Sequence, residues 1–125
     1  MSTITCLRTY RLPDRPSLIW LELETDDGLT GLGETFRGAA SVETCLHEEL
    51  APWLLGRDAR HIEGISRHLL TPYVGYNGSG VEVRSASAID IALWDLAGQR
   101  QGVPVYQACL LYTSDACRRR LRCRS

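Results

Sequence analysis

Residues 79–104, SGVEVRSASAIDIALWDLAGQRQGVP, decide the fold, because they carry a complete set of helix signals. Ser79 and Glu82 are spaced as a capping box, in which the hydroxyl takes the Glu82 amide and the carboxylate reaches back to the Ser79 amide. Gly102 predicts a left-handed C-cap, and Pro104 cannot continue the helix. Between these ends Ala86, Ile89, Leu93 and Leu96 recur at helical spacing, while Ala88, Ile91, Ala92, Trp94 and Ala97 fill most of the remaining circumference. A helix apolar nearly all round is expected to be buried nearly all round. Its small residues Ser85, Ala86, Ala88 and Ala92 leave room for another element to approach closely.

Upstream of this helix lies a glycine-rich loop, YVGYNGSG at residues 73–80, and before it two shorter helical patterns. In the nearer one Ile62, Ile65 and Leu69 form the apolar stripe, with Asp58 as the expected cap and Thr71-Pro72 as the stop. In the farther one Val42, Leu46, Leu50 and Trp53 repeat after an expected N-cap at Ser41. Pro52 predicts an end or kink near Ala51. The first third of the chain reads as strands. Residues 4–12 are β-branched and apolar, and the Pro13-Asp14-Arg15-Pro16 cluster predicts a turn. In residues 18–25 Ile19, Leu21 and Leu23 alternate with Trp20, Glu22 and Glu24, so one face is buried and the other partly wet. Asp26-Asp27-Gly28 is a hairpin signal, and residues 29–35 return as a third strand. A three-stranded antiparallel meander followed by packed helices is an α+β domain.

Composition narrows the chemistry. All 14 basic residues are arginines, so no lysine base, Schiff-base lysine or P-loop lysine exists in this chain. The five cysteines, Cys6, Cys45, Cys109, Cys117 and Cys123, are odd in number and match no zinc spacing, so reduced thiols and a cytoplasmic location are expected. No apolar run reaches the length of about 20 residues that a membrane helix needs. Five arginines crowd residues 118–124; without residues 109–125 the chain carries nine arginines against fourteen acids.

Single motifs are weak. Gly31-Leu32-Gly33 suggests a dinucleotide fingerprint, yet Phe36 stands where glycine or alanine is required and no βαβ unit surrounds it. Close backbone approach explains these glycines better. The 73–80 loop ahead of a helix offers an anion cradle in principle, and a plain connection in the simpler reading. His47, His61 and His68 lack the cysteine or carboxylate that would complete a metal set and read as surface residues. Asp90 and Asp95 are expected to bind a neighbouring backbone or arginine.

The order of several motifs is more specific. SAIDIALWDLAGQRQGVPVYQ at residues 87–107 resembles the end of the N-terminal capping domain of the enolase superfamily, in its mandelate racemase and muconate lactonizing branch. TYRLP at 9–13, ETDDG at 24–28, GLGET at 31–35 and LLGRD at 54–58 agree in order, and the similarity covers residues 3–108. TYRLP and GLGET are most similar to acid-sugar dehydratases of the galactonate dehydratase type. The resemblance implies that residues 1–108 are a capping domain and that a C-terminal (β/α) barrel is missing. It implies a Mg²⁺-dependent full-length lyase that removes the proton beside a substrate carboxylate through a metal-stabilised ene-diolate. The metal ligands and the lysine or histidine base belong to the barrel, so this chain holds no catalytic and no metal residues and is inactive alone. Its contribution would be lid contacts to an acid sugar from Thr35, Phe36 and Arg37, and from Tyr76 and Asn77, with Arg37 able to meet a carboxylate. A homo-oligomeric full-length enzyme with no nucleic-acid or membrane partner follows from the same resemblance. Two alternatives stand beside it: the capping domain of a racemase or cycloisomerase, and a self-contained α+β binding module with a basic tail.

After Gln107-Ala108 the family resemblance calls for a leucine-rich turn ending in two glycines. The chain reads CLLYTSDACRRRLRCRS instead, whose opening back-translates as TGT CTC TTA TAC ACA TCT GAC GCT, like a transposon-end sequencing adapter read in frame. Residues 109–125 are therefore expected to be a non-native tail on a gene model cut short.

Overall fold

The computed structural model describes residues 1–71 and 80–110; Pro72, Tyr76, Asn77, Ser79 and residues 111–125 lie outside them. The expected meander forms as an antiparallel sheet in the order β1 (Ile4–Leu12), β2 (Arg15–Thr25), β3 (Thr30–Phe36). The second strand starts earlier than the apolar pattern suggests. Leu12 pairs with Arg15, so Pro13 and Asp14 alone make the turn, and Pro16 sits near a strand end where a missing N–H is tolerated. At the other hairpin the Thr25 amide donates to Leu29 and the Gly28 amide to Thr25, each at 3.0 Å. Ile19, Leu21 and Leu23 are fully buried on one face, whereas Trp20, Glu22 and Glu24 are half-buried on the other. On that open face Arg8 bonds Glu24 and Tyr10 donates to Glu22.

The long helix forms as expected and lies across β3. It is the fifth helical segment of the chain, so we number the helices α1 (Ala39–Thr44), α2 (Ala51–Leu54), α3 (Ile62–Leu70), α4 (Val81–Gln101) and α5 (Val105–Leu110), with a π-helical turn, Cys45–Leu50, between α1 and α2. A Cβ on Gly33 would fall 2.1 Å from the Ala88 carbonyl oxygen, and one on Gly31 would fall 2.3 Å from that of Ala92. Helix backbone thus rests directly on strand backbone, which is the close approach the two glycines and the small helix residues suggest. The same contact closes the open edge of the sheet. Asp95 accepts the Leu32 amide at 2.8 Å, and the Gln99 amide donates to the Thr30 carbonyl at 2.7 Å. Near the C-terminal end Arg100 donates to Ser2, and Ser2 donates to Asp27 of the β2–β3 turn. Because Gly33 meets Ala88 and Gly31 meets Ala92, α4 runs antiparallel to β3, and its first turn reaches the end of β3.

The helix ends differ in legibility. At the C-terminus Gly102 is left-handed at φ 69°, its amide reaches Gln99 and the Val103 amide reaches Gly98 at 3.0 Å, a Schellman closure. At the N-terminus the cap position falls on Gly80 and no side chain caps it, one residue later than the capping-box spacing places it. The expectation of burial all round is also corrected. Ile91 is 47% exposed and lines a groove between α3 and α4.

The segment before α3 departs most from its pattern. The cap is Gly38 rather than Ser41, while beside Pro52 the helix changes type as expected, the short α2 starting at Ala51 with the proline in its first turn. The π turn explains this: the Ala51 amide reaches back to Leu46, five residues away, which widens the turn where the proline ring would otherwise strike the preceding carbonyls. Asp58 does not cap α3 either, since the cap position is His61 with no side-chain bond. Instead Asp58 closes its own turn, accepting the Arg60 amide at 3.0 Å and the Arg60 guanidinium at 2.6 Å. The Arg60 guanidinium and amide hold the Asp58 carboxyl well below the usual carboxylate range. A folded-state pKa depressed in this way contributes stability above the unfolded value near about 4, and that contribution is lost as pH falls below it. Asp58→Asn is therefore expected to lower the urea midpoint at pH 7, with the gap to wild type narrowing steadily as pH falls below about 4.

Candidate functional site

The antiparallel run of α4 along β3 gathers three sequence-distant pieces at one end of the domain. The β1–β2 turn is the first. The second is the crossing from β3 to α1, residues 36–38, whose Arg37 amide donates to the Ser17 carbonyl at 2.7 Å. The first turn of α4 is the third: a Cβ on Gly38 would lie 3.8 Å from Arg84 Nη2. We call this the lid end.

Arg37 is the only described residue other than glycine with a positive φ, at 67°, and Gly38 follows at 68°. A side chain in this region costs on the order of 1–2 kcal/mol relative to right-handed geometry. Arg37 and Phe36 are both exposed, Phe36 at 63%. Thr35 differs from its neighbours. Strand alternation pairs it with Ile19 and turns it to the helix side, where it is 7% exposed, so it supports the turn from beneath. Tyr76 and Asn77 lie outside the described residues.

Beside the lid end, the hydroxyl of Thr9 on β1 donates to Glu43 at 2.8 Å and lies 2.8 Å from His47 Nε2, while Arg11 pairs with Glu43 at 3.4 Å. With the hydroxyl proton committed to Glu43, the oxygen is left to accept from the imidazole. This is a closed polar cluster that ties the first helical segment to β1. Cys45 is buried beside Ser85, and burial pushes its thiol up against an opposing Ser85 hydrogen bond, so it packs rather than attacks. His68 stacks on Trp53 at 3.8 Å, and the Arg57 guanidinium lies 3.7 Å from the same ring centroid. A groove of about 400 Å³ between α3 and α4 is lined by Ser66, Leu70, Ala86, Ser87, Asp90 and Ile91. Asp90 there accepts the Ser66 hydroxyl. Among the described residues, no three His, Cys, Asp or Glu side chains are grouped to hold a metal, and no helix is long and apolar enough to cross a membrane.

The chain is a small α+β unit with an open, arginine-bearing edge at the tips of its strands. Residues 11–109 match the mandelate racemase / muconate lactonizing enzyme N-terminal domain, and the chain belongs to that family. It is 44% identical over 108 residues to a D-galactonate dehydratase of Ralstonia nicotianae, an alignment covering 83% of this chain and 27% of that protein. Among solved structures it is similar to an enolase protein from environmental shotgun sequencing of the Sargasso Sea, with 64% identity, TM-score 0.84, and coverage of 87% of this chain and 29% of that one. It is also similar to an enolase from Pantoea ananatis with bound D-gluconate and Mg, with 37% identity, TM-score 0.76, and coverage of 86% and 26%. The chain thus spans less than a third of the length of these proteins.

Sequence reasoning pointed to residues 35–37 through the resemblance and missed the Glu43–Thr9–His47 cluster. Glu43 and His47 are four apart, a spacing that places both on one helical face.

Proposed function

We propose that this chain is the lid domain of an acid-sugar dehydratase of the enolase superfamily, a lyase that removes the proton beside a substrate carboxylate and expels a β-hydroxyl. One observation carries the reading: 83% of the chain aligns in sequence with D-galactonate dehydratases, while covering only 27% of their length. The remainder would hold the base and the Mg²⁺. The described residues here do not fit that ion, so no step of the chemistry is assigned to them. Their part is to bind and enclose. Phe36 projects an aromatic ring over the substrate, where exclusion of water strengthens every charge interaction beneath it. Arg37 supplies a guanidinium whose planar fork matches a carboxylate. The exposed Ile91 and Leu70, 47% and 51% accessible, belong in this reading to surface that the barrel covers. Residues 109–125 remain proposed as sequence foreign to the domain; a natural stop codon after Ser125 in independently obtained DNA defeats that proposal.

The test is the full-length product of the locus, screened against a panel of acid sugars with Mg²⁺ and with chelator. Dehydration of a galactonate-type or gluconate-type acid, lost on chelation, is the expected result. Mg²⁺-independent turnover, or racemisation without loss of water, would count against it.

A further inference from the structure

Six carboxylates among the described residues are half-buried: Glu22, Glu24, Glu43, Asp58, Asp90 and Asp95. The first four each lie against an arginine. Asp95 accepts the Leu32 amide and the Gln99 side-chain amide. Asp90, among the same residues, has only the Ser66 hydroxyl, on one of its two oxygens. A carboxylate drawn partly out of water without a cation or amide donors is destabilised, so Asp90 is the one of the six that lacks a strong partner.

Asp90 is also the single charge lining the groove between α3 and α4, where it sits with Ser66 and Ser87 beside the exposed aliphatic walls Leu70 and Ile91. With its proton committed to Asp90, the Ser66 hydroxyl is left as an acceptor, so the groove has an accepting floor and apolar sides. That combination fits the end of an arginine or lysine, whose methylene stem packs on apolar surface while its charged head donates. The chain has no lysine, and among the described residues no arginine pairs with Asp90. The fold also shows from which side a cation can come. Ile91 and Gly98 are about two helical turns apart and share a face of α4 to within about 20°. On that face α5 abuts the helix, since a Cβ on Gly98 would lie 3.5 Å from the Val105 amide nitrogen. The last described element thus lies on the groove side of α4. The matched domain is an N-terminal one and spans 27% of the dehydratase it resembles, so in the acid-sugar reading most of the polypeptide follows α5 from this side.

We propose that the groove between α3 and α4 is a docking site for one arginine or lysine side chain carried by the C-terminal remainder of the same polypeptide, with Asp90 as its ionic partner. This rests on the reading above of the chain as the N-terminal part of a longer enzyme. Asp90 then holds the two parts of that enzyme in register and takes no part in the chemistry.

The test is photo-crosslinking of the full-length product of the locus carrying Leu70→p-benzoylphenylalanine, followed by a denaturing gel and peptide mass spectrometry. Irradiation is expected to join position 70 to one segment beyond the capping domain that contains an arginine or lysine, in a product that runs as a single chain. That basic residue changed to methionine, and Asp90→Asn, should each speed unfolding of the full-length product in urea about tenfold, and together no more than the larger of the two alone. Glu63→Gln, which breaks the exposed pair with Arg67, should leave the rate within about twofold. A dimer-sized product makes the groove a contact between copies and overturns the proposal. So does the absence of a crosslink, a crosslinked segment without a basic residue, or rate effects that multiply in the double variant. If Asp90→Asn does not fold, the crosslinked segment decides alone. Activity separates the two ideas: an active dehydratase without the crosslink sinks only the docking, and the expected crosslink in a product without dehydratase activity sinks only the functional reading.

Discussion

Gly33→Ala is expected to cost the domain at least about 3 kcal/mol, a large share of the roughly 5–15 kcal/mol by which small domains are stable. The added methyl would sit 2.1 Å from the carbonyl oxygen of Ala88, a backbone atom in the middle of α4. A flexible side chain can swing away from such a clash, but a helix carbonyl moves only if the helix moves. Lifting α4 off β3 breaks two things at once. Leu93, Leu96 and Ile89 lose their packing against the sheet, and the Asp95 and Gln99 bonds to Leu32 and Thr30 lengthen, which exposes the edge of β3. Gly31→Ala should behave alike, with its methyl 2.3 Å from the Ala92 oxygen. The control is Gly64→Ala in α3. Nothing lies within 4 Å of the new methyl there, and helix propensity favours alanine by about 1 kcal/mol. Urea midpoints with unchanged slopes should therefore fall for Gly31 and Gly33 and rise for Gly64; a Gly33→Ala variant as stable as wild type would mean that α4 does not rest on β3.

This contact was largely legible in the sequence. Glycines at alternate positions of a strand, and alanines four apart on a helix, are two halves of one close approach, and each half has a fixed periodicity. The face of β2 and the C-terminal stop of α4 were legible for the same reason: alternation and a glycine cap are local. What failed was local chemistry overridden by its surroundings. Asp58 reads as a helix cap, yet Arg60, two residues on, captures it first. Ile91 completes an apolar circumference in sequence, yet it is left 47% exposed. The proposed lid residues 36 and 37 were suggested only by the resemblance, because nothing in their composition distinguishes them from an ordinary strand end.

Arg37→Gly in the full-length enzyme proposed above is expected to separate stability from function. Glycine occupies φ 67° without the steric cost an arginine bears there, a relief of about 1–2 kcal/mol, against which it loses about 0.5–1 kcal/mol in unfolded-chain entropy. The variant should therefore be as stable as wild type or up to about 1 kcal/mol more stable. Its kcat/KM for an acid sugar should nevertheless fall by roughly a hundredfold, because a hydrogen bond to a charged group is worth about 1.5–3 kcal/mol and each 1.4 kcal/mol is a factor of ten. Arg37→Ala distinguishes the causes. It keeps the Cβ and hence the strain, so stability should stay near wild type while activity falls as far as in the glycine variant. Arg37→Lys should recover only part of the loss, since an ammonium offers a point charge in place of a planar fork. A position held only for packing would show the opposite ranking, with stability tracking activity across the three variants. Retention of full kcat/KM in Arg37→Ala would remove Arg37 from the substrate contacts. A drop in activity confined to variants that also lose stability would make the turn a structural element and nothing more.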